Sequence, residues 1–437
     1  MLKHISWRFR TYGYYEWLEI LGIIGLFLCT FGIFMKKSIA HAGFGLMALS
    51  LTFMLKSLGR EVLRDRLFVL SLLFLLFLAV RSVLAAFEFT GHVISIAEGA
   101  LKLLGAGFFG VFVFAFWMNR ARGKWSELLL VLMAGYLFQI LRQIDWVHLS
   151  DFIFRIWTGE ERATFGFSTN RFGLFSAVVL LACLLLYRHL WGSPDKKSWY
   201  LARIWFWATM CLISLSGIVF SQSRSSWAAA FIVISGTLLC KSYLTKKLNL
   251  KLVMAAILTV LLVFTVTNGP KIIERRGIFG LEHYASGFNS RLRLYTYGVE
   301  QWMRHPLMGH GPGTSHLLIS RGGEELIAER EADHFHNVLI DTMAQIGVIG
   351  VGFFVLMLFL IIRELFHARS AGTVDRDFFL YCLGGMALLM LTGMSAQPIH
   401  SPHGVYLLGL LGGICYSFKF SRVNLIQATP TQGPTPA

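Results

Sequence analysis

The chain has 437 residues, of which 55% are apolar and 14% aromatic, while only 15% are charged and the formal net charge is +16. Its mean hydropathy is +0.61, soluble domains carry about 25% charged residues, and the apolar residues fall in blocks of the length that crosses a bilayer. These figures exclude a soluble enzyme, a disordered chain and a secreted disulfide scaffold, and they assign the positive charge to loops on the inner side of a membrane rather than to a nucleic-acid surface.

The first sixteen residues are polar and basic, and the apolar block after them is long enough to span rather than to be a cleaved signal. Spans are predicted at 17–35, 38–56, 67–87, 92–118, 123–141, 171–190, 201–220, 226–241, 250–268, 336–362, 377–396 and 403–420. The fold class is therefore an all-α polytopic membrane protein with about twelve transmembrane helices. An even number puts both termini on one side, and the loop charges choose it. Arg60, Arg64, Arg66, Arg120, Lys124, Lys196, Lys197, Lys246, Lys247, Arg363, Arg369 and Lys419 all fall inside if the N-terminus is cytoplasmic, with Lys36 and Lys37 as the exception. All six cysteines lie in or beside apolar blocks with no C-x-x-C pair, as small apolar residues of helices do.

Two outer loops are long. In residues 142–170, Trp146, Leu149, Ile153, Ile156 and Trp157 form an apolar stripe opposite Asp145, Asp151 and Arg155. This predicts a helix near 143–160 lying on the outer membrane surface or packed on other protein. Residues 269–335 carry balanced charge and packing residues such as Tyr295, Tyr297 and Trp302, which suits a small outer domain between helices nine and ten. The organisation read from sequence is thus helices one to nine over 1–268, the loop domain at 269–335, helices ten to twelve over 336–420 and a disordered tail at 421–437.

Polar groups at membrane depth default to function, and here they gather at the outer ends of the spans. Arg81, Glu98, Lys102, Arg171, Arg224, His336, Asp341, His400 and His403 all lie there. Several arginines with few acids at depth point to an anion, because a guanidinium fork matches phosphate oxygens in bidentate fashion. Arg81 is expected to pair with Glu98. Arg224 sits in a hydroxyl-rich hairpin, Ser221-Gln222-Ser223-Arg224-Ser225-Ser226-Trp227, with no acid nearby in sequence. Asp333 is expected to cap the next helix and so to put His336 in its first turn, where the helix dipole disfavours imidazolium and suits a neutral base. A metal set of His334, His336, His310 and His316 lacks metal-site spacing, so no metal is expected. Gly309, Gly311 and Gly313 read as a tight turn that lets backbone approach a substrate.

His336-Asn337, nine residues, then Gly347-Val348-Ile349-Gly350 resembles a motif of the bacterial O-antigen ligase and polymerase superfamily, whose glycines would let the helix pack closely on a neighbour. Ser223-Arg224-Ser225-Ser226-Trp227 is similar to the family's S-R-small-small-aromatic hairpin. Arg291, Trp302 and His305-Pro306-Leu307-Met308-Gly309-His310-Gly311-Pro312-Gly313 resemble its R…W…hPl-x-G-x-G stretch. The resemblance covers residues 221–350 in motif. Ligases often continue the G-x-x-G with threonines, whereas Val351-Gly352 follows here.

The resemblance implies an O-antigen ligase, a glycosyltransferase of the membrane-embedded GT-C type that is inverting, metal-independent and free of cofactor. It would work at the periplasmic face of the bacterial inner membrane, moving a glycan from undecaprenyl pyrophosphate to a sugar hydroxyl of lipid A–core oligosaccharide to form lipopolysaccharide. In that reading His336 is the general base and Arg224, Arg291 and Arg171 hold the pyrophosphate, with Asn337, Asp341 and Arg81 as secondary candidates. A repeat-unit polymerase of the same superfamily is the alternative. A twelve-helix transporter is more distant, because the long loop breaks any six-plus-six symmetry.

Overall fold

The computed structural model describes residues 14–106, 108–121, 124–158, 164–191, 197–221, 223–245, 281–322, 332–394 and 401–428. The regular structure among them is entirely helical. It begins with α1 (Tyr14–Met35), α2 (Lys37–Leu63), α3 (Arg66–Glu88), α4 (Val93–Ala106) and α5 (Phe108–Arg120). It continues with α6 (Trp125–Gln143), α7 (Leu149–Thr158), α8 (Thr169–Trp191), α9 (Lys197–Phe220) and α10 (Arg224–Thr245). It ends with α11 (Leu281–Arg304), α12 (Ser315–Ser320), α13 (Val338–Ser370), α14 (Arg376–Gly393) and α15 (Pro402–Ala428). Among the described residues, seven helices are long and apolar enough to cross a membrane: Tyr15–Met35, Lys37–Leu55, Arg66–Glu88, Trp125–Gln143, Thr169–Tyr187, Ser225–Leu244 and Val338–Ser370. The architecture is that of a polytopic membrane protein.

Helices dominate because the bilayer offers no partner for a backbone N–H or C=O, and a helix pairs each within its own segment. On α3, Leu67, Phe68, Ser71, Phe74, Leu78, Arg81 and Ala85 are buried at helical spacing. Leu72, Leu76, Val80, Val83 and Phe87 on its other side are exposed leucine, valine and phenylalanine surface of the kind that lipid covers. Asp65 caps this helix, accepting from Leu67 N at 2.8 Å and Phe68 N at 3.1 Å. Its other oxygen takes Lys419 Nζ at 2.7 Å, tying the start of α3 to α15.

The helix boundaries differ from the predicted ones in several places. The 92–118 stretch is described as α4 and α5 on either side of residue 107, which lies outside the described residues, and α10 begins earlier than 226, at Arg224. The predicted span at 250–268 lies outside the described residues, as do His400 and residues 429–437. Helix α15 runs on to Ala428, past the 421 boundary expected for a disordered tail. Within 269–335 the structure has α11 and α12, and α7 occupies the other long loop.

Helix α13 departs from helical geometry at Gly347, where φ is 62° and ψ is −168°. A break strands carbonyls below it and amides above it. The 305–313 loop pairs them. His310 N donates to Ala344 O at 2.8 Å and Gly311 N to Gln345 O at 2.7 Å, while Val348 N donates to Pro306 O at 2.9 Å and Ile349 N to Leu307 O at 3.1 Å. This corrects the roles expected for the glycines. A Cβ on Gly347 would stand 2.3 Å from Leu307 O, so this residue admits the loop backbone rather than a neighbouring helix. Gly309, with φ of 63°, would bring a Cβ within 2.4 Å of the Gln345 carbonyl carbon, so the turn approaches protein backbone rather than substrate.

Gly347→Ala is therefore expected to destabilise the detergent-solubilised protein by more than the ~1–3 kcal/mol of an unfavourable backbone region, because the overlap adds to the strain. Gly352→Ala, a helical position with nothing within 4 Å of the added carbon, is expected to be neutral or stabilising by about 0.4–1 kcal/mol. Thermal unfolding of the two variants beside the parent checks both.

Candidate functional site

Helix α13 begins at Val338, so its N-cap is Asn337, whose side chain accepts from Leu339 N at 2.9 Å and Ile340 N at 3.2 Å. The cap expected at Asp333 is thereby corrected, and so is the position of His336. It lies just before the cap rather than in the first turn, and its backbone takes a positive φ of 56°. Asp341, fully buried one turn inside the helix, reaches back to accept from Phe335 N at 3.2 Å and from Gln345 Nε2 at 2.5 Å. Asp341 and Asn337 together fold the 333–337 turn over the helix end.

The His336 ring is partly buried there. Its pKa is lowered to about 4, first by burial, then by the neighbouring His334 ring and by Arg291, with Asp341 opposing. The imidazole is neutral at physiological pH. The His334 and His336 rings meet edge to face with centroids 4.4 Å apart. His334 Nδ1 is buried with no hydrogen-bond partner among the described residues. Tyr295 Oη donates to the His336 carbonyl at 3.4 Å. Arg291 lies one turn earlier on α11, exposed, within electrostatic reach of both Tyr295 and His336. Helix α11 lies close enough to this turn that a Cβ on Gly298 would meet Ile340 Cγ2 at 2.6 Å. Arg291 and His336, 45 positions apart in sequence, are thus within electrostatic reach of each other.

A second set forms where the α9–α10 hairpin meets the start of α8. Ser223 Oγ donates to Asn170 Oδ1 at 2.5 Å, Ser225 Oγ to the same atom at 3.2 Å, and Ser226 Oγ to the Asn170 carbonyl at 2.8 Å. Arg171 follows Asn170 directly, with its Nε donating to Ser168 Oγ at 3.0 Å and with His403 in electrostatic reach. The backbone of Arg224 opens α10 within this hairpin; its side chain is outside the described residues.

Arg81 belongs to neither set. It is buried, donates Nε to Gly309 O at 2.9 Å, and pairs with Glu88 at 3.4 Å. The expected partner Glu98 instead faces Lys102 at 3.7 Å. The reason is local: Glu88 stands two turns above Arg81 on the same helix, whereas Glu98 is on α4. Among the described residues, the side chains whose metal-ligand atoms converge are Glu88, His305 and His310, not the His334 and His336 set.

An apolar cavity of about 190 Å³ runs along α13 on both sides of its break, lined by Val338, Leu339, Thr342, Phe354, Leu358 and Met390 among others. Sequence reasoning treated Tyr295 as packing alone. The signal that links it to the site is its spacing of four from Arg291, which puts both on one face of α11.

The fold and these residues define a polytopic helical membrane protein with one set of polar side chains at the start of a long apolar helix, which an apolar cavity also borders, and a second set at the α9–α10 hairpin. Residues 209–355 match a family model described as O-antigen ligase. The match supports an O-antigen ligase family protein within the O-antigen ligase and polymerase superfamily, and it takes in Arg224, Arg291, His336 and the Gly347 break. No curated protein matches the chain.

The cap assignment has a direct consequence. Asn337→Ala is expected to lower stability by about 1 kcal/mol, while Asp333→Asn leaves the unfolding midpoint unchanged. Equal losses in thermal unfolding of the two variants would return the cap to Asp333.

Proposed function

We propose that the protein is an O-antigen ligase. It transfers a glycan from undecaprenyl pyrophosphate to a sugar hydroxyl of lipid A–core oligosaccharide, at the periplasmic face of the inner membrane with both termini cytoplasmic. The observation that carries the proposal is a neutral, partly buried His336 within electrostatic reach of Arg291, at the start of a helix whose next residues, Val338, Leu339 and Thr342, line an apolar cavity. A lipid-linked pyrophosphate has the matching parts: an anionic head for arginine and an apolar chain for the cavity. The sidedness rests on the loop charges.

In this mechanism the His336 imidazole accepts the proton of the acceptor hydroxyl as its oxygen attacks the anomeric carbon. The bond from that carbon to the pyrophosphate oxygen breaks, its electron pair leaves on the lipid pyrophosphate, and the carbon inverts. Arg224, Arg291 and Arg171 stabilise the charge that develops on the leaving group. The energy is stored in the donor, so neither nucleotide nor catalytic metal is required. Tyr295 and Asp341 position the histidine through the backbone of its turn.

The test is an assay of purified protein with lipid-linked glycan, with and without lipid A–core. Product that requires the core supports the ligase. Lengthening of the lipid-linked glycan without core identifies a polymerase instead, and no transfer in either case removes the enzyme reading. His336→Ala is expected to retain donor binding and to lose roughly 10²–10⁴-fold in rate, the contribution of one general base. Arg291→Lys is expected to rescue Arg291→Ala poorly, because a point charge does not replace a bidentate fork.

The pH dependence follows from the lowered pKa. Since the free protein protonates His336 only near pH 4, kcat/KM is expected to stay level as pH falls to about 5, well below the ordinary histidine value of about 6.5. A bound pyrophosphate favours imidazolium, so the acid limb of kcat belongs at higher pH than that of kcat/KM. Paired profiles for the parent show this separation; coincident limbs would take His336 out of the base role.

A further inference from the structure

We propose that Glu88, His305 and His310 bind one zinc-like divalent ion, separate from the transfer chemistry, that fastens the 305–313 loop to the end of α3. Their candidate ligand atoms all lie within 4.8 Å of one another. The closest pair, His310 Nδ1 and Glu88 Oε1, is 3.0 Å apart. Two ligands on a tetrahedral zinc with bonds of about 2.0–2.1 Å stand roughly 3.3 Å apart, so this pair is already near ligand spacing. The His305 ring centroid is 4.3 Å from that of His310, and His305 is exposed, so its side chain closes the third corner by rotation without disturbing the core. Two imidazoles, one carboxylate and an open position for water are a donor set that zinc accepts.

The hydrogen bonding of His310 points independently to a cation. Its Nε2 faces the Gln301 carbonyl at 3.0 Å. A carbonyl only accepts, so Nε2 carries a proton, and Nδ1 is left facing the Glu88 carboxylate, which in its ionised form also only accepts. At 3.0 Å these two atoms are bridged either by a second proton or by a metal ion, and the convergence of His305 on the same point favours the ion. Metal-bound histidines commonly donate their other N–H to a backbone carbonyl, the part Gln301 plays here. Arg81 engages Glu88 Oε2 at 3.4 Å and leaves Oε1 facing His310, an outer-shell contact that orients the ligand. Arg81 and Arg304 also bring positive charge to the cluster, which moderates its affinity. His310 is buried while Glu88 and His305 are exposed, which leaves the ion a route from solvent.

The ion would join two segments 222 positions apart, one of them the loop that pairs the broken backbone of α13. Binding to the folded chain alone stabilises it by mass action. The experiment uses the full chain in detergent, purified without a histidine tag, stripped with chelator and then dialysed against zinc chloride. Metal content by mass spectrometry and the unfolding midpoint with and without zinc are measured. The parent is expected to hold stoichiometric zinc and to gain in midpoint. His305→Ala, at an exposed position, and the near-isosteric Glu88→Gln are each expected to weaken binding by more than the 10–100-fold typical of outer-shell changes and to lose the midpoint gain. If the parent holds no more zinc than the double variant His305→Ala/Glu88→Gln, or if both single variants bind as the parent does, the proposal is overturned and the cation between Glu88 and His310 is a proton.

Discussion

The structure depends on the repair of one broken helix. At Gly347 the backbone of α13 turns out of helical geometry within a segment otherwise apolar enough to span a membrane. Each buried backbone group left without a partner costs about 1–3 kcal/mol, and the cost rises away from water. The 305–313 loop supplies partners for two carbonyls and two amides at the break. Because those four bonds have fixed directions, they set the register between the loop and the helix, and the rest of the site follows from that register.

The geometry of the two arms explains why. Helix α11 ends at Arg304, next to the residues bonded at the break, and the first part of α13 ends at the break itself. Tyr295 and Arg291 lie nine and thirteen residues before the end of α11, and His336 lies eleven before Gly347. At 1.5 Å per helical residue these are roughly 13–20 Å from the same anchor. Two arms of similar reach, packed at Gly298 against Phe335 and Ile340, bring Arg291 within electrostatic reach of His336.

The turn that holds His336 is strained and over-determined. A positive φ at a non-glycine residue costs of order 1–3 kcal/mol. Asn337 capping the helix, Asp341 holding Phe335 N and Tyr295 bonded to the His336 carbonyl offset it. The same burial keeps the ring neutral. A polar turn held rigid at the head of an apolar helix is where a group that must exchange a proton can be both fixed and reachable.

The polytopic, helical character and the residue types worth testing were legible in the sequence because each depends on a local quantity. Bilayer thickness sets the length of an apolar block, and residue type sets whether a side chain can hold an anion or accept a proton, so Arg291 and His336 stood out as single letters. Partnerships were not legible. Asn337 rather than Asp333 at the cap and the approach of Glu88 to His310 turn on exact helix ends and on contacts across hundreds of positions, which leave no period in the chain; Glu88 for Arg81 does follow a helical spacing of seven, but only if one helix runs through both. Nor does hydropathy separate the lipid-facing Leu76 from the buried Leu78, because lipid and protein interior are equally apolar. The sequence alone determined that this is a membrane protein with a histidine and arginines near the ends of its apolar segments. Only the tertiary structure decided which of them meet, because a break in one helix and the loop that pairs it fix that register.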